Sequence, residues 1–211
     1  MVLARLPVLL FAPVWLALVA PATSVAQSLP GGVYTLNRAA SSVGFTISGS
    51  MFFKVKRDGS FKDFTGNLSY DPVNPSNTHM DLTVYTGSVD MHSDENTQLL
   101  KSPGFFDVER FPTMHFVGAS TTTAPDGTMS MTGDMTIRGV TKRMTIPVKM
   151  HRDSADGDHS GTIFESNFQI DRTEFGLNGV PKWGGFKVSV SKKVDIHIAI
   201  TATMNGSQPQ R

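Results

Sequence analysis

Apolar residues recur at every second position along most of this chain, and that rhythm restricts its fold more than any other feature. In one run Val43, Phe45, Ile47, Met51, Phe53 and Val55 occupy odd positions, with mostly polar residues between them. A period of two places alternate side chains on opposite faces of an extended backbone, so the run predicts a strand with one apolar and one wet face. Arg57-Asp58-Gly59-Ser60 has turn chemistry. Phe64, Leu68 and Tyr70, then Met80, Leu82 and Val84, continue on even positions. Gly87 precedes a switch of parity to Val89 and Met91, which predicts a β-bulge. Met114 and Phe116 form a further strand. Met129 to Ile137 and Met144 to Met150 predict a hairpin that turns over Arg138–Lys142. Pro147 lacks a ladder donor, which suits an edge strand, a bulge or a non-donating position. Phe164, Phe168 and Ile170 precede a glycine-rich loop, Asn178–Gly185, carrying Trp183. Val188, Val190, Val194, Ile196, Ile198 and Ile200 end the pattern.

Eight or nine one-sided strands either close into a barrel or stack as a sandwich. Several run ten residues or more, about 33 Å at ~3.3 Å per residue, and that length favours the barrel. The expected fold class is all-β, an eight-stranded antiparallel barrel with a short capping helix. The helix comes from the one stretch that breaks the rhythm, Leu99–Phe116. Asp94 to Gln98 lead into it with acidic residues suited to a helix N-terminus. Leu99 and Leu100 give it an apolar side, and Pro103-Gly104 ends it. The adjacent Phe105 and Phe106 then suit a lid over one end of the barrel.

Met1–Ala26 reads as a secretory signal peptide. It has a basic start at Arg5, an apolar core over residues 6–19 and small residues Ser24-Val25-Ala26 before the cut. The expected organisation is therefore signal peptide 1–26, barrel domain 27–205 and polar tail 206–211. The expected location is periplasmic or secreted, with no membrane span after signal removal. The chain has no cysteine, which excludes a disulfide scaffold and a thiol enzyme. Its 19 basic and 18 acidic residues form no basic stripe, so nucleic acid is not an expected partner. A homodimer is compatible with the sequence.

No nucleophile elbow, phosphate-binding glycine loop or HExxH motif occurs. The six histidines lack ligand spacing, and the aspartates over 153–158 lack calcium-loop spacing. Asp171, Arg172 and Glu174 could form a charged cluster, although a hydrogen-bonded strand-end corner explains them as well. No catalytic residue, metal or cofactor is expected. The inward parity instead carries Phe45, Ile47, Phe53, Met80, Leu82, Val84, Met114, Phe116, Met131, Met135, Met144, Ile146, Phe164, Phe168, Ile196 and Ile198, with Thr86 and Ser166 as polar exceptions. Such an interior either fills itself or holds a hydrocarbon chain, each buried methylene contributing about 0.8 kcal/mol. Leu99, Phe105 and Phe106 of the lid, and Phe175, join the candidate binding residues.

Five stretches carry a family resemblance: VGFTISG at 43–49, FKDFTGNLSYDP at 61–72, LKSPGFFDVERFPTMHF at 100–116, GDMTIRGVTKRMTIPV at 133–148 and IDRTEFGL at 170–177. In this order they resemble the YceI-like family of periplasmic, lipocalin-like polyisoprenoid-binding proteins. The resemblance implies a lipocalin-like barrel whose partner is a long-chain isoprenoid or fatty-acid-like lipid, with no catalysis. Many members carry a His-Leu pair before the lid's basic residue, where this chain has Leu99-Leu100, and many carry a histidine near Ser48-Gly49-Ser50. Lys101, Arg110 and Arg172 are the cations that could meet a ligand's head in their place; solvated surface positions are the alternative for each.

Overall fold

Residues 31–50, 54–125, 128–152, 161–180, 182–183, 186–187 and 189–205 are described by a computed structural model. The signal-peptide and tail assignments, Phe53, Met51 and the 153–158 aspartates lie outside them. The early strands are β1 (Gly32–Leu36), β2 (Ser42–Ser50), β3 (Lys54–Phe61), β4 (Phe64–Tyr70), β5 (His79–Tyr85) and β6 (Val89–Asp90). Helix α1 (Asp94–Lys101) follows. Then come β7 (Thr113–Thr123), β8 (Met129–Ile137), β9 (Val140–Arg152), β10 (Thr162–Asp171), the short pair β11 (Lys182–Trp183) and β12 (Phe186–Lys187), and β13 (Ser189–Met204).

Eight strands close into an antiparallel barrel in the order β1-β4-β5-β7-β8-β9-β10-β13, with β13 returning to β1. β13 is long enough to serve two partners on one edge. Its C-terminal end pairs with β1, and the rest pairs with β2. Only a 3-10 turn at Arg38–Ala40 separates those two strands. β3 and β4 repeat this bend, because β3 pairs with β2 while β4 pairs with β1. β6 then pairs with β3 and β5 with β4. The first three arms of the barrel are therefore bent strands. At one end the sequence β13-β2-β3-β6 stops short of β7, and α1 with residues 102–112 occupies that place.

The structure relocates several turns. Arg57–Ser60 is not a turn but part of β3, paired with Ile47–Gly44 of β2. Gly59 is there for packing: a Cβ on it would collide with the Phe45 ring and lie 2.5 Å from the Met91 sulfur. Across the same ladder the Thr46 hydroxyl donates to the Asp58 carboxylate at 2.6 Å. Gly87 marks no bulge; Thr86–Ser88 is a 3-10 turn that moves the chain from β5 to β6. The β8–β9 turn is only Arg138-Gly139, both at positive φ (53° and 72°), as a tight hairpin requires. The glycine-rich loop contains the antiparallel β11–β12 pair.

One apolar core lines the barrel, with Phe45, Phe61, Phe64, Leu82, Phe116, Met131, Ile146 and Ile200 among its buried members. Two inward glycines face each other across β7 and β8, Gly118 and Gly133. A Cβ on Gly133 would collide with the Val117 carbonyl and sit 2.7 Å from the Gly118 Cα. That missing side chain lets the tip of the Phe116 ring lie against Gly133.

Candidate ligand-binding interior

The alternation found in the sequence produces an interior of two apolar cavities. They share a waist of Leu82, Phe116, Met135 and Ile198. The base-side cavity is lined by Tyr34, Leu68, Met80, Met129, Met131, Val148, Met150, Phe164 and Ile200 as well as the waist. The lid-side cavity is lined by Phe45, Ile47, Phe61, Val84, Leu100, Phe105, Phe106, Met114, Phe168 and Ile196, again with the waist. Their empty volumes are about 810 and 940 Å3, open solvent at the mouths included. Both surfaces are apolar almost throughout.

The base is covered by residues 71–78. The Thr121 hydroxyl donates to the Pro75 carbonyl at 2.7 Å, and Asp71 N–H donates to the Thr78 hydroxyl at 3.2 Å. The Asp71 carboxylate accepts from the Val73 and Asn74 amides, and its pKa is lowered chiefly by the Asn74 backbone bond. Burial raises the neighbouring Tyr70 phenol above its ordinary value, with the Asp71 charge adding to the effect.

The other end is covered by α1 and the turns after it. Met91 N–H donates to Thr97 Oγ1 at 3.0 Å and Phe106 N–H to the Leu100 carbonyl at 2.9 Å. Phe106 packs edge-on against Phe61 at 5.4 Å between ring centroids, and Phe61 packs on Phe45 at 5.6 Å. Arg138, in the β8–β9 turn, fastens this lid. Its guanidinium donates to the Gly176 carbonyl at 2.7 Å and the Pro103 carbonyl at 2.6 Å. It also lies 3.6 Å from the Asp107 carboxylate, which is 6% exposed. Gly179 N–H donates to the Gly104 carbonyl at 2.7 Å, tying the lid to the loop after β10.

Most candidate binding residues converge on these cavities. Phe45, Ile47, Val84, Phe105, Phe106, Met114, Phe168 and Arg172 reach the lid side, Met80 and Phe164 the base side, and Leu82, Phe116 and Met135 both. Leu99 and Met144 pack against the core without lining either cavity, and Phe175 is buried at the end of the 172–175 turn. Lys101 and Arg110 line neither cavity. Arg110 is exposed on the outside of the lid, 3.5 Å from Asp107 and stacked over Phe111. Their backbone positions explain this: Lys101 ends α1, and Arg110 lies beyond the turn that carries Phe105 and Phe106 inward.

Arg172 lines the lid-side cavity, but its donors are directed at the wall itself. They bond the carbonyls of Ser191, Leu177, Gly179 and Val190. Burial lowers its pKa. Asp171 accepts from the Thr173 hydroxyl and amide, which makes 171–175 a hydrogen-bonded corner. The two inward polar exceptions are likewise engaged in the wall. Thr86 donates to the Phe111 carbonyl at 2.7 Å and Ser166 to the Pro147 carbonyl at 2.6 Å. Among the described residues no group of three His, Cys, Asp or Glu could hold a metal ion.

Sequence reasoning missed two residues. The sequence marks Arg138 only as a turn residue. It places Lys142 in the same turn, which hides the inward parity that the β8–β9 register shows opposite Met135.

A model of the YceI-like domain matches residues 34–202. The chain belongs to the YceI-like family. A UPF0312 protein of Pseudomonas putida is 32% identical over 124 residues, 57% of this chain and 64% of the relative. Protein YceI of Salmonella arizonae is 34% identical over 122 residues, 56% of this chain and 62% of that protein. These matches thus span less than two thirds of the curated relatives' own length. Among solved structures, Burkholderia cenocepacia BcnA superposes with a TM-score of 0.67 at 24% identity, covering 80% of this chain and 99% of BcnA. A polyisoprenoid binding domain from Saccharophagus degradans, implicated in plant cell wall breakdown, superposes at 0.62 with 14% identity, covering 82% of this chain and 98% of that domain. Both share the YceI-like barrel.

Proposed function

We propose that this chain is an exported binding protein that holds an isoprenoid or similar long-chain lipid inside its barrel, for transport, storage or sequestration. The observation that carries this reading is the pair of apolar cavities joined at a common waist. Of the polar side chains in their linings, Thr121, Ser166, His115 and Arg172 are bonded to the wall and leave the interior to hydrocarbon. At about 0.8 kcal/mol per buried methylene, a chain of ten or more carbons gains enough to bind with few polar contacts. Family membership supports the reading, as does the polyisoprenoid binding of a structural neighbour. Binding without catalysis fits the engagement of the titratable groups near the cavities. His115 bonds the hydroxyls of Thr83 and Thr113, and Arg172 bonds four carbonyls. Among the described residues no helix is long and apolar enough to cross a membrane.

The test is native mass spectrometry on protein purified from its own envelope, followed by organic extraction. The expected result is a mass excess equal to one long-chain lipid, lost on extraction. Protein that emerges bare and takes up no offered lipid is a barrel filled by its own side chains, and the reading fails.

A further inference from the structure

The barrel wall is not uniform. β9 and β10 are joined by a ladder of only four pairs, from Thr162↔Arg152 to Glu165↔Lys149. The ladder stops at Pro147 for a structural reason. Ile137↔Val140 flank a two-residue turn, so even positions of β9 exchange bonds with β8 and odd positions direct theirs toward β10. Pro147 is an odd position, and its ring removes a donor from that edge. The Ser166 hydroxyl caps the Pro147 carbonyl, and beyond this point the ladder does not resume along the described residues.

The side chains agree with the backbone. The lid-side cavity takes Met135 and Ile137 from β8 and Phe168 and Ile170 from β10, yet nothing from β9 between them. The inward positions of β9 here are Val140, Lys142 and Met144. Val140 is 38% exposed, and Met144, like Phe168 across the gap, is only partly buried. Lys142 spans the gap to Glu174 at 3.1 Å, with the two side chains 40% and 55% exposed. The lid is held differently, by an arginine side chain only 18% exposed, bonded to two carbonyls and beside a buried carboxylate.

We propose that the β9–β10 seam is a side door through which an apolar chain passes into the lid-side cavity, latched by the Lys142–Glu174 ion pair. The proposal rests on the lipid-binding reading. An exposed ion pair contributes little and weakens with salt, so this is the closure that opens most readily.

The test is stopped-flow uptake and release of cis-parinaric acid by the full mature chain. Lys142→Glu, facing Glu174, is expected to speed uptake and release together by about two- to fivefold, the factor such a pair is worth. The double variant Lys142→Glu/Glu174→Lys is expected to restore the wild-type rates. Because the chain contains no cysteine, Met144→Cys supplies a single thiol at the seam. A bulky maleimide there is expected to block uptake, and Thr145→Cys serves if that variant does not fold. Equal rates in wild type and Lys142→Glu, or acceleration only in Arg138→Ala, overturn the side door and place passage at the lid. A wild-type protein that binds no probe overturns the lipid-binding reading itself.

Discussion

The base-side cavity is walled by ladders that run around it and is covered by an eight-residue segment held through Thr121, Thr78 and Asp71. The lid-side cavity is equally apolar, but it is completed by an inserted helix and turns, and its wall is interrupted between β9 and β10. At the base, closure comes with the strands themselves. At the lid it depends on a few polar bonds made by residues that are far apart in sequence, Arg138 with Pro103 and with Gly176. Apolar lining and closure are therefore separate properties here, and a substitution can alter one without the other.

The most disruptive test removes what the two halves share. Phe116 is 3% exposed and lines both cavities. Phe116→Ala is expected to cost about 3–5 kcal/mol in urea unfolding and to reduce probe binding throughout the interior. A loss below about 1 kcal/mol would mean that the waist is not a packed element. A smaller effect should separate the halves. Arg138→Ala removes two carbonyl bonds and leaves Asp107 buried with Arg110 as its remaining cation, at 3.5 Å. The expected cost is about 1–3 kcal/mol. Hydrogen exchange should quicken in residues 99–112 and stay unchanged in the base-side part of β8; uniform loss of protection would erase the distinction.

The smallest effect concerns acid. Asp71 at the base, and Asp90 and Asp171 toward the lid, all have lowered pKa values. The largest causes are the Asn74 amide, the His92 amide and the Thr173 hydroxyl respectively. A carboxylate lowered in the folded state contributes stability above its ordinary value of 3.8, and that contribution is lost as pH falls through the folded value. The thermal midpoint should therefore stay level from neutral pH to about pH 5 and drop below about pH 4. Comparing Asp71→Asn with Asp171→Asn shows which half carries the acid sensitivity. A midpoint already falling at pH 6 would contradict this assignment.

Much of the fold was legible because the barrel is one-sided. Each strand needs an apolar inner face, and Phe45, Leu82, Phe116 and Phe164 announce it by parity. The lid was legible because Leu99–Phe116 breaks that parity. Turns were harder, since Gly59 looks like a turn glycine when its role is to make room for a ring on the next strand. Pro147 signals a lost donor and with it an edge strand, a bulge or a non-donating position; β9 is no edge strand but lies between β8 and β10, and only the register shows which neighbour loses the donor. Lys142 was hidden by the turn chemistry around it: once the hairpin tightens to Arg138-Gly139, the same parity rule turns it inward. The bonds of Arg138 join segments more than thirty residues apart, and no local pattern encodes them.

The waist of Leu82, Phe116, Met135 and Ile198 also turns the interior into a measure of length. An occupant short enough to stop at the waist gains from one compartment only. On the lipid-binding reading, a longer one reaches past these four side chains and gains from both compartments, so a barrel with no polar recognition inside distinguishes its guests by how far they reach.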